Sequence, residues 1–468
     1  MQYVSTRGRA PALSFSGAVL AGLARDGGLY VPERWPTLSA GEIAALAGLP
    51  YSEVAFRVIE PFVGDDIPQD ALRRMIDGAY AGFHHPAVTP LVQIGPNHFL
   101  LELFHGATIA FKDVAMQLLA RLMDHVLAEK GERATIVGAT SGDTGSAAIE
   151  AFRGRENTDI FILFPHGRVS DVQRRQMTTV ADANVHAIAL EGTFDDCQAQ
   201  VKAMFNHLAF RDRVHLSGVN SINWGRIVAQ VVYYFVAATA LGAPHRKVSF
   251  TVPTGNFGDI FAGHVARQMG LPIRTLVIAT NVNDILVRTL ETGRYETRGV
   301  SATMSPSMDI QVSSNFERLL FEATGRDADA VTAMMGSLSQ SGAFDVPAGA
   351  LAEIRAGFAA GRADEAETAA AIGRMLREAD YLLDPHTATG VVVAERHLAG
   401  TAPMVTLATA HPAKFPDAVS AASGRHPTLP ERLGDIFARD ERQSVLANDR
   451  GRIEDFILGR TRAASLGA

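Results

Sequence analysis

The feature that most constrains the fold is a repeated succession of short β-branched runs. From about Val92 onward, each run is followed by a turn that contains Gly or Ser and then by a helical pattern. This succession is typical of βα units, whose strands pair in parallel. It predicts strands at residues 134–140, 159–164, 185–190, 247–252, 275–279 and 403–408, and helices at 113–130, from Ser146 and at 259–269. The sequence therefore predicts an α/β fold with mostly parallel sheets.

The first ninety or so residues have a different pattern. Residues 39–46 and 69–80 are typical of short helices with polar faces, and Asp26 to Gly28 of a turn. We therefore predict a small α-rich N-terminal domain over residues 1–91 and a larger region over residues 92–468. Within that region, residues 346–379 are rich in Ala, Glu and Arg and predict surface helices.

Charge and cysteine content exclude several classes of protein. The 468 residues include 43 Lys and Arg against 50 Asp and Glu, a net charge of −7, which argues against binding to nucleic acid or an anionic membrane. Cys197 is the only cysteine, so no intrachain disulfide and no cysteine metal cluster can form. No H-E-x-x-H or similar histidine spacing occurs, and we predict no catalytic metal.

The longest apolar stretch, residues 227–243, is near the lower length limit of a membrane span. Gln230, Tyr233 and Tyr234 interrupt it, which favours a buried core helix over a membrane helix. The N-terminus has no apolar run of the kind that secretory signals contain. We therefore expect a cytoplasmic location.

Two Gly-rich turns stand where a predicted strand passes into a predicted helix. They are Ser-Gly-Asp-Thr-Gly at 141–145 and Thr-Gly-Asn-Phe-Gly at 254–258. Free backbone N–H groups and the helix dipole make such a turn suitable for an anion, although plain connection geometry also explains each one. Neither has the spacing of a dinucleotide-binding or P-loop motif.

Lys112 follows a largely apolar segment and lies at a predicted helix start. With Ile109, Ala110 and Phe111 before it, an ammonium here would be partly desolvated, which lowers the pKa and favours the neutral amine that attacks carbonyl groups. The alternative is a lysine whose stem lies on the core while its charge reaches solvent.

Four motifs together resemble threonine synthase, an enzyme of fold type II that depends on pyridoxal phosphate (PLP). They lie at residues 105–113, 139–145, 253–259 and 409–415, in the order of the family, and further similarity covers residues 15–32 and 281–284. The resemblance runs nearly end to end. It implies a fold similar to the tryptophan synthase β subunit, with two interleaved, mostly parallel sheet lobes in residues 92–468 and the α-rich N-terminal domain.

The resemblance also implies roles for individual residues. Lys112 resembles the lysine that holds PLP and moves protons, and Thr409 resembles the hydroxyl beside the pyridine nitrogen. The loop that wraps the cofactor phosphate in this family is similar to the segment Thr254, Gly255, Asn256, Phe257 and Gly258. Ser141 and Thr144 resemble the loop that receives the substrate carboxylate. Asp143 would lie by the cofactor's 3′ oxygen, where its carboxylate requires a proton or a partner such as Lys112 or an arginine.

The substrate that the family implies is O-phosphohomoserine, whose phosphate requires a second anion pocket. Arg168, Arg226 and Lys414 are the candidates, and each could instead be a surface ion-pair partner. His105, His386 and His411 lie in motif-like segments and could be general acids or stacking partners of the cofactor ring.

The expected reaction is γ-elimination of phosphate followed by addition of water at Cβ, which gives threonine. Two alternatives stay open at this point: a PLP lyase that forms 2-oxobutyrate, and a non-catalytic binding protein with the same fold. The sequence does not indicate the oligomeric state.

Overall fold

A computed structural model describes residues 1–398 and 400–464. From β4 to β7, single helices alternate with single strands, and most later strands are also followed by a helix. The helices are α1 (Phe15–Ala21), α2 (Ala40–Ala44), α3 (Tyr51–Val63), α4 (Gln69–Tyr80), α5 (Lys112–Lys130), α6 (Asp143–Phe152), α7 (Asp171–Thr178), α8 (Phe194–Asn206), α9 (Leu208–Arg213), α10 (Trp224–Ala240), α11 (Gly258–Gln268), α12 (Ile285–Thr292), α13 (Phe316–Ala323), α14 (Ala328–Ser341), α15 (Ala348–Gly357), α16 (Glu365–Ala379), α17 (Pro385–Glu395), α18 (Pro416–Ser423) and α19 (Arg450–Leu458). The strands are β1 (Tyr3–Ser5), β2 (Tyr30–Pro32), β3 (Leu91–Gly95), β4 (His98–Glu102), β5 (Ala134–Ala139), β6 (Thr158–Pro165), β7 (Val185–Glu191), β8 (Leu216–Ser217), β9 (Val248–Pro253), β10 (Ile273–Thr280), β11 (Arg294–Glu296), β12 (Ala343–Asp345), β13 (Phe358–Arg362), β14 (Met404–Ala408) and β15 (Ser444–Ala447).

Six strands form the larger sheet, in the order β13-β10-β9-β14-β4-β3. All neighbours in it are parallel except β3, which is antiparallel to β4 at the edge. Because parallel strands point the same way, the carboxyl ends of β4, β14 and β9 lie side by side, where ligands of open α/β sheets bind. Leu103, Thr409 and Thr254 follow these three ends directly.

The smaller sheet has five strands in the order β15-β7-β6-β5-β8, and all of them are parallel. Strand β5 ends at Ala139, just before the first Gly-rich turn. The two mostly parallel sheets confirm the predicted α/β fold of type II. The last strand, β15, lies in a tail for which the sequence predicted no role, and it extends this sheet by pairing with β7.

Helix α10 lies in the centre of the molecule. Its residues Trp224, Tyr233, Tyr234 and Phe235 are fully buried, and it packs against α3, α5 and α11. The predicted core helix is therefore confirmed. No helix among residues 1–398 and 400–464 is long and apolar enough to cross a membrane.

The prediction of surface helices at residues 346–379 is wrong for one segment. Helices α15 and α16 are present, but β13 lies between them and pairs in parallel with β10, with Phe358 opposite Leu276. The segment Phe-Ala-Ala-Gly-Arg has little intrinsic strand propensity, so the pairing with a neighbouring strand decides its conformation.

The N-terminal region is joined to the body by buried polar contacts. The guanidinium of Arg318 on α13 donates to the carbonyl of Tyr30 on β2 at 2.9 and 3.1 Å. Thr6 donates to Glu317 at 2.6 Å, and Arg7 forms an ion pair with the same carboxylate at 3.0 Å. These contacts fix the N-terminal strands against the segment that also supports the second Gly-rich turn.

Candidate active site

Lys112 is the first residue of α5, at the end of a loop that is held beside the chain after β14. The amide of Phe111 donates to the carbonyl of Thr409 at 2.8 Å, and the amide of His411 donates to the carbonyl of Ile109 at 3.0 Å. Ile109 has a φ of 55°, a left-handed conformation that a β-branched residue rarely adopts. The backbone therefore brings Lys112 close to Thr409, although about three hundred residues separate them.

The amine of Lys112 is buried and has one close charged partner. The residue is 8% exposed, and its Nζ lies 3.5 Å from Asp143 Oδ2 and 4.6 Å from the centre of the Phe111 ring. Burial lowers the pKa of Lys112, and the charges of Lys414 and Arg226 lower it further, while Asp143 opposes them. The side chain is therefore largely removed from solvent, and its surroundings favour a neutral, nucleophilic amine.

Asp143 begins α6 and lies between two lysines. Its Oδ1 lies 3.0 Å from Nζ of Lys414 and accepts a hydrogen bond from Gln173 at 2.9 Å, while its Oδ2 faces Lys112. Burial would raise the pKa of Asp143, but the charges of Lys414 and Lys112 outweigh it and hold that pKa well below its usual range. The carboxylate is therefore ionised and compensated by lysines rather than by an arginine.

The turn before α6 requires glycine at its centre. Gly142 has a φ of 143°, and a Cβ there would lie 2.3 Å from the side-chain carbon of Gln173. Thr140 Oγ1 accepts hydrogen bonds from the amides of Gly142 and Gly145, each at 2.9 Å. Because these bonds close the turn early, the helix begins three residues before the predicted Ser146.

The two predicted carboxylate-binding residues lie on the same turn. Ser141 is exposed and Thr144 is half-buried. Both are beside Asp143 in the chain, at the carboxyl end of β5. Ser141 therefore lies in the turn before Asp143, and Thr144 lies in the first turn of α6 directly after it.

The second Gly-rich turn joins β9 to α11. Thr254 donates through its hydroxyl to the carbonyl of Val252 at 2.6 Å, and Phe257 has a left-handed φ of 64°. A Cβ on Gly255 would lie 2.5 Å from the carbonyl oxygen of Ser307. Asn256 is exposed, and Gly258 begins the helix of eleven residues. The N–H groups that an α-helix leaves free at its start are thus available at this turn.

Ser307 links the two turns to a buried histidine. Its Oγ lies 3.4 Å from Asp143 Oδ2, and its amide donates to Nε2 of His386 at 3.2 Å. On the other side of the ring, Nδ1 of His386 is 3.0 Å from Asp384. Thr387 also donates to Asp384 and accepts from the amide of Thr409. His386 is therefore a connection between site segments, with both ring nitrogens in use.

The other two histidines of the motifs also have protein partners. His105 Nε2 lies 2.7 Å from Glu102, which accepts a second bond from Tyr381 at 2.6 Å. His411 Nδ1 accepts from the amide of Ala413 at 3.2 Å, and burial lowers the pKa of His411 to about 4. The imidazole of His411 is therefore neutral over the physiological pH range.

The three basic candidates for the substrate phosphate lie in different surroundings. Arg168 is exposed on the turn after β6. Arg226 on α10 is 4% exposed, donates to the carbonyl of Val219 at 3.3 Å and leaves its Nε without a hydrogen-bond partner in the described part of the chain. Lys414 is fully buried in the ionic cluster. The structure thus brings Lys414 to Lys112 and Asp143, but it does not bring Arg168 there.

Several residues of this site gave no signal in the sequence. Gln173 and Gln176 on α7 bind Asp143 and Lys414, and Ser307 lies in the 3₁₀ turn Pro306–Met308 of a long loop. The loop is held by Asp309, whose carboxylate accepts from Asn281 at 2.8 Å. Of these, only Asn281 lies in a segment that the sequence analysis singled out.

Comparison with known proteins assigns the family. Residues 2–80 match the family Threonine synthase N terminus, residues 83–352 match Pyridoxal-phosphate dependent enzyme, and residues 387–457 match Threonine synthase, C-terminal. The chain is 54% identical to the threonine synthase of Pseudomonas aeruginosa over 459 residues, which are 98% of each chain. The chain belongs to the threonine synthase family. This membership confirms the resemblance seen in the sequence and makes the protein a PLP-dependent lyase with threonine synthase activity.

Solved structures of this family are similar along the whole chain. The PLP-bound threonine synthase of Brucella melitensis is 64% identical with a TM-score of 0.97, and the match covers 99% of this chain and 100% of that one. The yeast threonine synthase is 39% identical with a TM-score of 0.93, and the match covers 97% and 98% of the two chains.

The residues of this threonine synthase family site are compatible with PLP. A buried lysine with a lowered pKa provides the amine, and the backbone N–H groups that α11 leaves free at its start are donors for a phosphate. Arg226 Nε and Asp259 Oδ2 are buried nearby polar atoms without partners among the described residues. Lys112, Thr409 and the two turns all lie at the carboxyl ends of parallel strands, as a ligand site of this fold requires.

Proposed function

We propose that the protein converts O-phosphohomoserine and water to threonine and phosphate at the site around Lys112. One observation carries this proposal: Lys112 is a buried amine with a lowered pKa, and it lies between two Gly-rich turns. This site is at the carboxyl ends of β4, β5, β9 and β14. Threonine synthase activity follows from the family; the substrate and the residue roles are the parts proposed here.

In this proposal PLP is held by Lys112, Asp143, Thr409 and the turn of residues 254–258. When bound, PLP supplies an aldehyde for amines and an electron sink for carbanions. The backbone N–H groups at the start of α11 would hold its phosphate, and Thr409 would offer a neutral hydroxyl to its ring nitrogen. Asp143 would hold the amine of Lys112 in place through the contact at 3.5 Å.

Lys112 is proposed to move the protons of the reaction. When its Nζ is free and neutral, it would act as the base that takes the Cα proton of the substrate. After it has given up that proton, the same amine would take a second proton from Cβ, which allows phosphate to leave Cγ. It would then return a proton at Cγ before water adds at Cβ. A lowered pKa suits this task, because the amine must be neutral to accept a proton near pH 7.

Arg226 is the best of the three candidates for the substrate phosphate. It is buried, it is close enough to Lys112 to lower the pKa of that lysine, and its Nε has no hydrogen-bond partner among the described residues. Arg168 lies on an exposed turn, and Lys414 already has its own partners. Ser141 and Thr144 are proposed to receive the substrate carboxylate.

The test of the proposed reaction is incubation of the purified protein with O-phosphohomoserine while phosphate and threonine are both measured. Equal amounts of the two products are expected. Phosphate with 2-oxobutyrate in place of threonine would instead identify a lyase on the same scaffold. A purified protein that is colourless and releases no phosphate would contradict the proposal and favour a binding protein.

The role of Lys112 is tested by Lys112→Ala, with Lys202→Ala on the exposed face of α8 as the matched control. We expect the first variant to lose threonine formation and the second to keep it. Reduction of the PLP-loaded protein with borohydride, followed by peptide mapping, should place the label on Lys112. A label on another lysine would overturn the assignment.

The division of the chain and its location are also proposals. We propose that residues 1–91 form the N-terminal domain and residues 92–468 the catalytic region of two interleaved lobes, and that the protein acts in the cytoplasm on a small-molecule substrate. Proteolysis under native conditions that cuts first near residue 91 would support the boundary, and protection of that segment with cleavage elsewhere would contradict it.

A further inference from the structure

Lys414 has a place in the site that its sequence motif did not indicate. It ends the 3₁₀ turn Pro412–Lys414 between β14 and α18, and its side chain is completely buried. The ammonium lies 2.9 Å from the carbonyl of Thr108, 3.0 Å from Oε1 of Gln176 and 3.0 Å from Oδ1 of Asp143. A lysine has three hydrogens to donate, and all three have an acceptor. The side chain therefore has no donor left for a substrate phosphate.

Asp143 needs a permanent cation, and Lys112 cannot be that cation. The proposed chemistry requires the nitrogen of Lys112 to be a neutral amine when it attacks an aldehyde and again when it takes a proton, so its charge changes during the reaction. A buried carboxylate without a charged partner is strongly destabilised. Lys414 can be that cation, because its hydrogen bonds hold its ammonium in place during the reaction. Its Nζ is also nearer to the Asp143 carboxylate, at 3.0 Å against 3.5 Å for Nζ of Lys112.

The position of Lys414 beside Asp143 also determines whether Asp143 keeps Lys112 protonated. If Asp143 had Lys112 as its only cation, it would hold Lys112 as an ammonium in a buried ion pair, and a protonated amine cannot attack an aldehyde. With Lys414 on the other oxygen, the two lysines share one carboxylate, and the positive charge of Lys414 disfavours a second positive charge on Lys112. The charged groups that face Lys112 are Asp143 on α6, Lys414 after β14, Arg226 on α10 and Asp259 on α11.

We propose that Lys414 is a positioning residue that acts through Asp143: it is the fixed counter-ion that keeps Asp143 from holding Lys112 as an ammonium. This inference rests on the proposed role of Lys112 as the cofactor-binding amine. It assigns Lys414 to the control of the reactive lysine rather than to the pocket for the substrate phosphate.

The test is a double-mutant cycle with Lys414→Met, Asp143→Asn and the combined variant. The first measurement is the rate at which PLP is incorporated into cofactor-free protein at several pH values, and the second is threonine formation. Lys414→Met alone should slow incorporation at neutral pH by about 30-fold or more, the order of effect of breaking a buried charge pair. The pH needed for fast incorporation should rise, because Lys112 then carries the proton.

The combined variant separates this role from a structural one. Without the carboxylate, Lys112 has no partner that holds its proton, so removal of Lys414 in the Asp143→Asn protein should change incorporation by less than about threefold. If Lys414 only supports the loop through Thr108 and Gln176, its removal will cost the same in both backgrounds and will leave the pH dependence unchanged. That additivity would overturn the proposal.

Two further measurements keep the test decisive. Lys414→Gln retains hydrogen-bond donors without the charge, so it tests the proposal even if Lys414→Met does not fold. It should also raise the pH needed for fast PLP incorporation. A folded Lys414→Gln variant that behaves like the wild type would overturn the proposal. Borohydride labelling of the wild type comes first. A label away from Lys112 overturns the proposed function itself, whereas a label on Lys112 with additive variants overturns only the role of Lys414.

Discussion

The stability of the cofactor-free protein should depend on pH through Asp259, the second residue of α11. Its side chain is buried, Oδ1 accepts from the hydroxyl of Tyr233 and lies 3.2 Å from that of Tyr234, and Oδ2 has no partner among the described residues. Burial raises the pKa of Asp259 from 3.8 to about 6, against the hydrogen bonds of the two tyrosines and the charges of Lys112 and Arg226. The perturbation that removes this titration is Asp259→Asn.

The sign and size of the effect follow from the two pKa values. Because the pKa is raised on folding, the group contributes stability that is complete below pH 3.8 and is lost as the pH rises through about 6. Between about pH 5 and about pH 8, the free energy of unfolding of the wild type should fall by about 1.4 kcal/mol relative to Asp259→Asn. Relative to the wild type, the variant therefore gains stability as the pH rises from about 5 to about 8.

The assay is urea unfolding of both cofactor-free proteins, followed by far-UV circular dichroism at the two pH values. The difference between wild type and variant isolates Asp259, since the other groups titrate in both. Repeating it at about 0.5 M salt should leave the difference in place, because desolvation is not screened as long-range charge interactions are. A difference that stays constant with pH, or that changes in the opposite direction, would refute the reasoning.

Two other substitutions replace glycines: one tests the packing at the second Gly-rich turn, and the other tests helix propensity. Gly255→Ala would place a Cβ 2.5 Å from the carbonyl oxygen of Ser307 and should weaken PLP binding about tenfold or more in a fluorescence titration, whereas Gly299→Ala, whose Cβ meets nothing within 4 Å, should bind PLP normally. Gly336→Ala lies within α14 with nothing within 4 Å of its Cβ, so it should raise the free energy of unfolding by about 0.5–1 kcal/mol, measured by thermal unfolding; a loss of stability would contradict this.

The sequence predicted the parts of the fold that depend on local patterns. Helix α4 was predicted with its observed bounds, and strands β5, β6, β7, β9, β10 and β14 within about two residues, because hydrophobic periods and Gly-rich turns are local signals. Strand β13 was missed, since only its pairing with β10 makes Phe358 and its neighbours extended. Local propensity does not contain that information.

The same division applies to the site. Lys112 and the two Gly-rich turns stand out in the sequence because an unusual residue or turn marks each of them. The partner of Asp143 could not be read in this way: Lys414 is 271 residues further along the chain, and its distance of 3.0 Å from Asp143 results from the packing of the two lobes. Ser307 was missed for a similar reason, since it lies in the 3₁₀ turn Pro306–Met308, whose loop is held by Asp309 through side chains distant in the sequence.

The position of β14 limits when this protein can fold. Strand β14 lies between β9 and β4 in the larger sheet, and the ribosome synthesises it about 150 residues after β9 and about 300 residues after β4. Until it emerges, the facing edges of β4 and β9 have no partner, and such edges invite pairing with other chains. The larger sheet can therefore close only after about 150 residues beyond β9 have been synthesised.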